Sequence, residues 1–287
     1  MVNEQGLRAP EVAVVTGGAG GMGLATARVL GRRTAVLISD VNEQRLETAR
    51  LSLVESGVDC RAAICDITDA ESVRGLVRTA TEWGNVRSII HTAGLSPSMG
   101  SPESIVRVNA VGTQMITQAF LAVATEGMVL VNVASVAGHQ LPRVLMPVGR
   151  YKRGRHDAHR LRGGLLAVCD LVPAARRSQI AYVLSKNFVI WYSKAMAAQF
   201  GAKGARVLSI SPGSFDTEMG QLEDGTGAGA LAQLSALRRF GRPDEIAELL
   251  AFCAGPEAGY LTGTDIVCDG GAMAAWSLST MRKLARG

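Results

Sequence analysis

EVAVVTGGAGGMG, residues 11–23, is the stretch of the chain that decides the fold. It begins as an apolar, β-branched run, turns into glycines, and leads into GLATARVLGRR (23–33), which has helical spacing. In such a turn, backbone amides can approach a phosphate, and the helix N-terminus adds partial positive charge. Gly17, Gly21 and Gly23 are therefore candidate phosphate-binding residues. A glycine-rich turn alone is a common feature, and its place between the first strand and the first helix strengthens the interpretation.

The alternation of apolar runs and helical patterns continues along the chain. Six further strands are predicted at 34–40, 58–66, 86–94, 127–135, 205–213 and 264–271, with helices at 42–56, 69–83, 102–125, about 179–201 and 243–254. The strands are apolar throughout, which is typical of a parallel sheet covered on both faces. We therefore predict an α/β fold with a doubly wound, mostly parallel, seven-stranded sheet of Rossmann type and helices on both faces, in one domain spanning residues 1–287.

The composition excludes several classes of protein. Of the 287 residues, 47% are hydrophobic and 19% are charged. No apolar run reaches the ~18 residues that a membrane span needs, and the first eleven residues lack the pattern of a signal peptide. The five cysteines are scattered without CxxC spacing. These features predict a reduced, cytoplasmic protein without structural zinc and without a membrane partner.

Asp40 ends the second predicted strand. A carboxylate at this place can accept hydrogen bonds from the ribose hydroxyls of NAD, and it repels the 2′-phosphate of NADP. Val41 follows it, and no Lys or Arg lies in the glycine turn. The sequence therefore favours NAD as the cofactor. The structural alternative for Asp40 is a turn residue or a helix cap.

Tyr182 and Lys186 stand four positions apart in YVLSK, on one face of a predicted helix. An ammonium beside a phenol favours the phenolate, so the tyrosine could exchange a proton with an alcohol or ketone. The alternative is a surface pair, which this spacing often gives. Ser135 ends the fifth strand, at the edge where open α/β sheets bind ligands. Its hydroxyl could bind a carbonyl oxygen or only cap the strand end.

With these residues in place, the chain resembles the short-chain dehydrogenase/reductase family over nearly its whole length. The matching segments have the order and intervals of the family. They are TGGAGGMG (16–23), Asp40, CDI (65–67), HTAG (91–94), Asn109, Ser135, YVLSK (182–186), SPGSFDT (211–217), RRFGRPDEIAELLAF (238–252) and YLTGTDIVCDGG (260–271).

The resemblance implies a role for each matching residue. Tyr182 would be the general acid/base, and Lys186 would tune it and hold the nicotinamide ribose. Ser135 would position and polarise the substrate oxygen, and Asn109 would hold a water that continues the proton path through Lys186. The implied cofactor-binding residues are Gly17, Gly21, Met22, Gly23, Asp40, Val41, Asp66, Ile67, Ala93, Gly94, Tyr182, Lys186, Pro212, Gly213 and Thr217.

Thr92 departs from the family pattern, which usually has Asn in the NAG segment where this chain has TAG. The family's Asn mainly ties strands together. The departure therefore bears on local stability more than on chemistry.

The 47 positions between Ser135 and Tyr182 contain an insertion, residues 138–180, because most of the family has only a short connection there. Gly163–Gly164 are expected to break its middle, which leaves LLAVCDLV (165–172) as a short apolar helical turn. Since both ends are anchored beside catalytic residues, it must lie near the active-site mouth or the Tyr182 helix. The insertion is similar to that of the bacterial 3α-hydroxysteroid dehydrogenase/carbonyl reductase branch. That resemblance implies a homodimer through the last helix and strand, with a tetramer as the alternative.

The insertion also holds the positive charge of the chain. Between Arg143 and Arg177 there are nine Lys or Arg and two Asp, whereas the whole chain has a net charge of +5. Four interpretations stay open: a solvated face or irregular loop, an assembly element, a lid or docking site for an anionic substrate, and a nucleic-acid surface. The last is disfavoured because Tyr151 is the only aromatic residue within the run. His156 and His159 lack a third candidate ligand, so we expect no metal site.

Residues 214–240 form a second candidate substrate gate. This segment is glycine-rich in its middle and follows Thr217, which predicts a hinged substrate loop. The alternative is a surface loop without function. The last residues, WSLSTMRKLARG (276–287), are expected to form a basic surface tail.

Together these features predict an NAD-dependent oxidoreductase for a secondary alcohol or ketone, and by resemblance a steroid or another apolar cyclic substrate. A 3-oxoacyl thioester reductase is the alternative, although Asp40 disfavours it because biosynthetic reductases usually take NADPH. The alternative class is a non-catalytic NAD-binding scaffold or sensor. The joint presence of Asn109, Ser135, Tyr182 and Lys186 argues against it.

Overall fold

One sheet of seven parallel strands organises the protein in the computed structural model, which describes residues 9–222, 229, 232–233 and 235–275. The strands are β1 (Glu11–Thr16), β2 (Ala35–Asp40), β3 (Cys60–Ile64), β4 (Asn85–His91), β5 (Val129–Val133), β6 (Arg206–Pro212) and β7 (Asp265–Cys268). Their order is β3-β2-β1-β4-β5-β6-β7, and every neighbouring pair is parallel. The predicted fold class is confirmed.

Helices cover both faces of this sheet. They are α1 (Gly21–Leu30), α2 (Glu43–Glu55), α3 (Ala70–Trp83), α4 (Pro102–Val106), α5 (Thr113–Ala122), α6 (Val148–Gly154), α7 (Ala158–Cys169), α8 (Arg177–Gly201), α9 (Glu218–Leu222) and α10 (Pro243–Ala254). A π-helical turn, Arg107–Gly112, joins α4 to α5. These three pieces make up the long helix predicted at 102–125.

Alternate residues of each strand enter two different hydrophobic cores, as the period of two requires. In β1, Val12 and Val14 belong to the core that also contains residues of α3, α5 and α8. Val15 belongs to the opposite core, with residues of α2 and α10. Strand order reverses between β1 and β4, and the carboxyl ends of these two strands therefore border a crevice.

The insertion folds as the two helices α6 and α7, which pack on the core that contains Val12 and Val14. Tyr151 on α6 is fully buried, and its hydroxyl donates to Leu184 O of α8 at 3.1 Å. Its ring meets Phe188 edge-on, with 5.4 Å between centroids. Gln114 Nε2 of α5 donates to Gly154 O at 2.7 Å. The insertion thus lies against the Tyr182 helix, as its anchoring predicted.

One expectation for the insertion was wrong, and part of one open interpretation is excluded. Gly163–Gly164 do not break it, since α7 runs from Ala158 to Cys169 through both glycines. Asp157 caps this helix by accepting from Arg160 N at 2.9 Å. Burial of Leu161 and Leu165, at about 1.5–3 kcal/mol each, outweighs the cost of about 1 kcal/mol for each glycine. The segment is also not an irregular loop, although many of its basic side chains do face solvent.

Several sequence expectations concern residues whose structure is not described. Residues 223–228, 230–231 and 234 of the predicted substrate gate lie outside the described residues, and so does the tail 276–287. Within the described ranges, the helices are too short or too polar to cross a membrane. The same part of the chain holds no cluster of three or more potential metal-ligating side chains.

Candidate active site

A cleft of about 920 Å³ opens at the carboxyl edge of the sheet, where the strand order reverses. The structure brings all but one of the predicted site residues to its wall. Those lining it are Gly17, Gly21, Met22, Gly23, Asp40, Val41, Asp66, Ile67, Ala93, Gly94, Ser135, Tyr182, Lys186, Pro212, Gly213 and Thr217. Asn109 is the exception, and it is buried behind the wall.

The glycine turn forms a cradle that any side chain would fill. Gly17 and Gly21 have φ angles of +67° and +53°, in the left-handed region that favours glycine. A Cβ added at Gly23 would lie 2.2 Å from the carbonyl oxygen of Gly17. No acidic side chain lies in the first turn of α1 to offset the positive charge of its N-terminus. These features fit the pyrophosphate of a dinucleotide.

Asp40 both lines the cleft and supports the turn after β2. Its Oδ1 accepts from Asn42 N at 3.1 Å. Asn42 in turn caps α2 by accepting from Arg45 N at 2.9 Å. Asp40 is therefore a turn residue, as in the structural alternative, and it also lines the cleft.

Arg45 is a cleft residue that sequence reasoning missed. The sequence has no cation directly after Asp40 or in the glycine turn, but α2 brings Arg45 back toward that turn. A Cβ on Gly20 would lie 2.9 Å from Arg45 Nη2. The same nitrogen lies 2.6 Å from Oε2 of Glu218, at the start of α9. This ion pair joins the two helices beside the glycine turn.

Lys186 is buried, with 6% of its surface exposed. Its Nζ donates to Val133 O, at the end of β5, over 3.0 Å. The same atom lies 5.9 Å from the ring centroid of Tyr182. The two side chains are therefore not the surface pair that their spacing often gives. An ammonium beside a phenol can favour the phenolate form, which is the effect that the resemblance implies for Lys186 on Tyr182.

Ser135 lines the cleft together with Tyr182 and Lys186. Its Oγ accepts from Ala137 N at 3.1 Å, so it also caps the short 3₁₀ helix Val136–His139. The hydroxyl is thereby held in a fixed position while keeping its proton available to donate. The serine, tyrosine and lysine therefore line the same cleft.

Asn109 lies on the π-helical turn and holds the loop that follows β4. Its Oδ1 accepts from Leu95 N at 2.8 Å, and its Nδ2 donates to Leu95 O at 2.9 Å. Both ends of the amide are thus engaged with one backbone unit. The side chain fixes the loop, and the water-holding role implied for this residue stays a prediction.

Thr92 supplies a strand tie of its own. Its Oγ1 donates to Thr16 O at 2.7 Å, which links the end of β4 to the end of β1. The departure from the family's Asn therefore leaves the two strands connected. The same oxygen would lie 2.7 Å from a Cβ added at Gly23, so it also contributes to the narrowness of the glycine cradle.

His91, the last residue of β4, is buried directly behind this region. Its Nδ1 lies 2.7 Å from Thr16 Oγ1, and its Nε2 lies 3.0 Å from Thr113 Oγ1. Burial, reinforced by the charge of Lys186, lowers the pKa of His91 to about 3. The imidazole is therefore neutral at ordinary pH. Sequence reasoning included it in a motif but gave it no role.

Two family models together match most of the chain. One described as short chain dehydrogenase matches residues 11–148, and one described as Enoyl-(Acyl carrier protein) reductase matches residues 168–273. The gap between them lies inside the insertion.

The curated relatives match along nearly their whole length. Short-chain dehydrogenase/reductase bsc3 of Alternaria brassicicola is 32% identical over 92% of this chain and 96% of its own. D-threitol dehydrogenase of Mycolicibacterium smegmatis is 31% identical over 91% of this chain and 92% of its own. Cis-4-hydroxycyclohexanecarboxylate dehydrogenase of Sinomonas cyclohexanicum is 29% identical over 92% and 96%.

Solved structures agree with this relationship. A short chain dehydrogenase of Burkholderia cenocepacia in complex with NADP superposes with a TM-score of 0.72 at 26% identity, covering 92% of this chain and 98% of that one. A variant of the actinorhodin polyketide ketoreductase with NADPH has a TM-score of 0.73 at 23% identity, covering 95% and 99%. The second likeness is one of fold alone.

Replacing His91 with Gln should flatten the acid side of the stability profile, because Gln can accept from Thr16 and donate to Thr113 without titrating. The folded-state pKa of about 3 lies below the ordinary value of 6.5. The unfolded state therefore binds the extra proton between these values, and the wild type loses stability as pH falls through that window, by at most about 1.4 kcal/mol per pH unit for one group. Urea unfolding from pH 7.5 to 4 measures the difference.

The exposed His156 provides the control for this comparison. His156→Gln leaves the buried His91 in place, so the loss of stability that His91 causes at acid pH should persist in this variant. Parallel profiles for the wild type and His91→Gln would show that the buried imidazole does not resist protonation.

Proposed function

The chain belongs to the short-chain dehydrogenase/reductase family of oxidoreductases, and from that premise we propose that it is an NAD-dependent dehydrogenase or ketone reductase for an apolar, cyclic secondary alcohol. Members of the family bind a nicotinamide cofactor and act on small molecules. The observation that carries the proposal is the shared cleft wall of Ser135, Tyr182 and Lys186 beside the glycine cradle.

In this proposal the chain's own residues orient the reactants and move one proton, while the bound nicotinamide supplies or accepts the hydride. Tyr182 exchanges the proton with the substrate oxygen. Lys186 keeps the phenol acidic through its charge, and the hydrogen bond to Val133 O holds it in place. Ser135 donates a hydrogen bond to the same substrate oxygen.

Tyr182→Phe should lower kcat by about 100- to 10,000-fold, because it removes only the proton-transferring hydroxyl. The dissociation constant of NAD should stay within about threefold, since the ring and Lys186 remain. Steady-state kinetics and NAD titration measure the two quantities separately. A variant that keeps its turnover would exclude Tyr182 as the acid/base.

The cofactor preference rests on the charges at the end of β2. Asp40 presents a carboxylate to the cleft at the place where a 2′-phosphate would add negative charge. Arg45 could offset that charge, but it is paired with Glu218. The pair is exposed, and such pairs contribute only about 0–1 kcal/mol, so this restraint on Arg45 is weak. We therefore assign NAD on Asp40, with Arg45 as the residue that limits the preference.

The wild type should bind NAD at least about tenfold more tightly than NADP, a difference of about 1.4 kcal/mol. Glu218→Gln should narrow this ratio, because it releases Arg45 for the 2′-phosphate. Asp40→Asn should narrow it further by removing the repelling charge. Isothermal titration with both dinucleotides measures each ratio.

The matched control is Glu248→Gln, which breaks an exposed ion pair with Arg32 in the turn after α1. Glu248 lies on α10 and does not line the cleft, so the ratio should not change. Equal affinity of the wild type for both dinucleotides would overturn the NAD assignment.

The substrate proposal rests on the apolar side chains of the cleft. Those beyond the glycine turn include Leu95, Pro97, Met99 and Met219, whereas Gln140 and Gln179 are polar. This lining suits a compact apolar alcohol that carries few polar groups. A relative named as a cis-4-hydroxycyclohexanecarboxylate dehydrogenase supports a cyclic substrate. A steroid remains the candidate drawn from the branch that carries a similar insertion.

A substrate panel tests the proposal directly. Cyclic secondary alcohols with NAD should produce absorbance of the reduced nicotinamide, and 3-oxoacyl thioesters with NADH or NADPH should react more slowly. Faster turnover of the thioesters would favour the reductase alternative. Binding of NAD without turnover of either class would favour a scaffold or sensor.

We also propose a homodimer through α10 and β7. The insertion covers the face of α8 from which Phe188 meets Tyr151. On the other face of the sheet, Phe252 of α10 is 48% exposed, and at the β7 edge Val267 is 42% exposed. Single apolar residues at a surface are ordinary, but these two lie where the branch resemblance places the subunit contact.

Light scattering should give the mass of a dimer for the wild type, and Phe252→Glu should shift it toward the monomer because a charge would be buried in the contact. Leu171→Glu, on the 80% exposed Leu171 of the insertion, is the control and should stay dimeric. A wild-type tetramer would contradict the proposed assembly.

The cysteines support a reducing, cytoplasmic location. All five are free thiols, and four of them are buried. Burial raises the pKa of Cys60 and of Cys169 to about 11, which keeps these thiols protonated and unreactive. Recovery of the protein from its source with paired cysteines would contradict this location.

A further inference from the structure

We propose that His91 is a positioning residue: through Thr113 it fixes the π-helical turn that carries Asn109, and with it the loop that lines the cleft beside Lys186. This role rests on the proposed function, because it concerns the rate of the reaction in that cleft. His91 does not line the cleft itself, and therefore acts only through the residues it holds.

A chain of three hydrogen bonds carries the proposal. Thr16 Oγ1 of β1 lies 2.7 Å from Nδ1 of His91, and Nε2 of His91 lies 3.0 Å from Thr113 Oγ1 of α5. Thr113 Oγ1 then donates to Asn109 O at 2.8 Å. The imidazole thus connects β1 to the π-helical turn from its own place at the end of β4, and every member of the chain is buried.

The last acceptor in this series of hydrogen bonds, Asn109 O, fixes which group donates in each bond. A carbonyl oxygen accepts only, so Thr113 gives its single proton to Asn109 O. Thr113 Oγ1 must then accept from His91, which requires the proton on Nε2. Nδ1 is left as an acceptor for the hydroxyl of Thr16. Of the two neutral tautomers of His91, only Nε2–H satisfies all three bonds.

A protonated imidazole would change this arrangement. Its Nδ1 would donate to Thr16 Oγ1, and the hydroxyl proton of Thr16 would lose its acceptor on the ring. The charge would also be buried close to Lys186, whose ammonium already disfavours a second positive charge there. Geometry therefore selects the tautomer, and electrostatics keeps the ring neutral.

The series of hydrogen bonds ends on Asn109, which supports the cleft wall from behind. Asn109 forms hydrogen bonds to the backbone of Leu95 through both the oxygen and the nitrogen of its amide. A Cβ added at Gly94 would lie 3.1 Å from Asn109 Oδ1 and 3.4 Å from Lys186 Nζ. The loop, the asparagine and the ammonium therefore meet with little free space. A small rotation of the π-helical turn would displace the loop against Lys186.

The helix that carries Thr113 offers a matched control one turn further on. Thr117 is also buried, and its Oγ1 has no hydrogen-bond partner among the described residues. Replacing either threonine with Val removes one hydroxyl at nearly constant volume. Only the change at Thr113 removes the hydrogen bond to Asn109 O.

Thr113→Val should lower kcat about tenfold, equivalent to about 1.4 kcal/mol of barrier, with the NAD dissociation constant within about twofold of the wild type. Thr113→Ser keeps the hydroxyl and should restore kcat, and Thr117→Val should match the wild type. The assays use temperatures at which circular dichroism shows every variant folded. A Thr113→Val enzyme with wild-type kcat, or an equal loss in Thr117→Val, would overturn the proposal.

Imidazole ¹⁵N spectra of the full-length protein provide a readout independent of turnover. One histidine should show the neutral Nε2–H tautomer without titrating between pH 8 and 5, and its signals should disappear in His91→Gln. The Nδ1–H tautomer, or titration near the ordinary pKa, would overturn the proposed chain. A wild type that converts no alcohol or ketone would refute the proposed function instead, and would leave this spectroscopic result unaffected.

Discussion

The buried ammonium of Lys186 is the constraint on which the rest of the site depends. A charge removed from water requires partners, and Nζ finds one in Val133 O, where β5 ends. The groups around it must not add positive charge, which is consistent with the depressed pKa of His91. They must also leave space, and a Cβ at Gly94 would come within 3.4 Å of the nitrogen. Val133 O, the neutral ring of His91 and Gly94 thus each accommodate the same buried charge.

Much of the fold and part of the site could be predicted because the relevant signals are local. A parallel strand buried on both faces must be apolar along its whole length, so all seven strands are visible as runs. Gly17 and Gly21 need left-handed φ angles, which the glycine-rich spacing already suggests. Tyr182 and Lys186 share a face because a helix brings positions four apart together.

The residues that could not be predicted depend on contacts across the fold. Arg45 reaches the cleft and Glu218 because β2 and β6 end at the same edge of one sheet, a relation that neither segment reveals alone. The bond from Thr16 to His91 likewise exists only because β1 lies beside β4. In the insertion, helix propensity gave the wrong prediction. Gly163 and Gly164 are poor helix formers, but packing of the apolar side of α7 outweighs their low propensity.

The insertion is also connected to the chemistry more closely than its basic composition suggests. Tyr151 donates to the carbonyl of Leu184, which lies between Tyr182 and Lys186 on α8. The insertion therefore contacts the turn of α8 that carries Tyr182 and Lys186. Because the hydride chemistry belongs to the cofactor, the chain contributes mainly position and electrostatics. Tyr151 through Leu184, and His91 through Thr113, are therefore hydrogen-bonded to the segments that border the phenol and the ammonium.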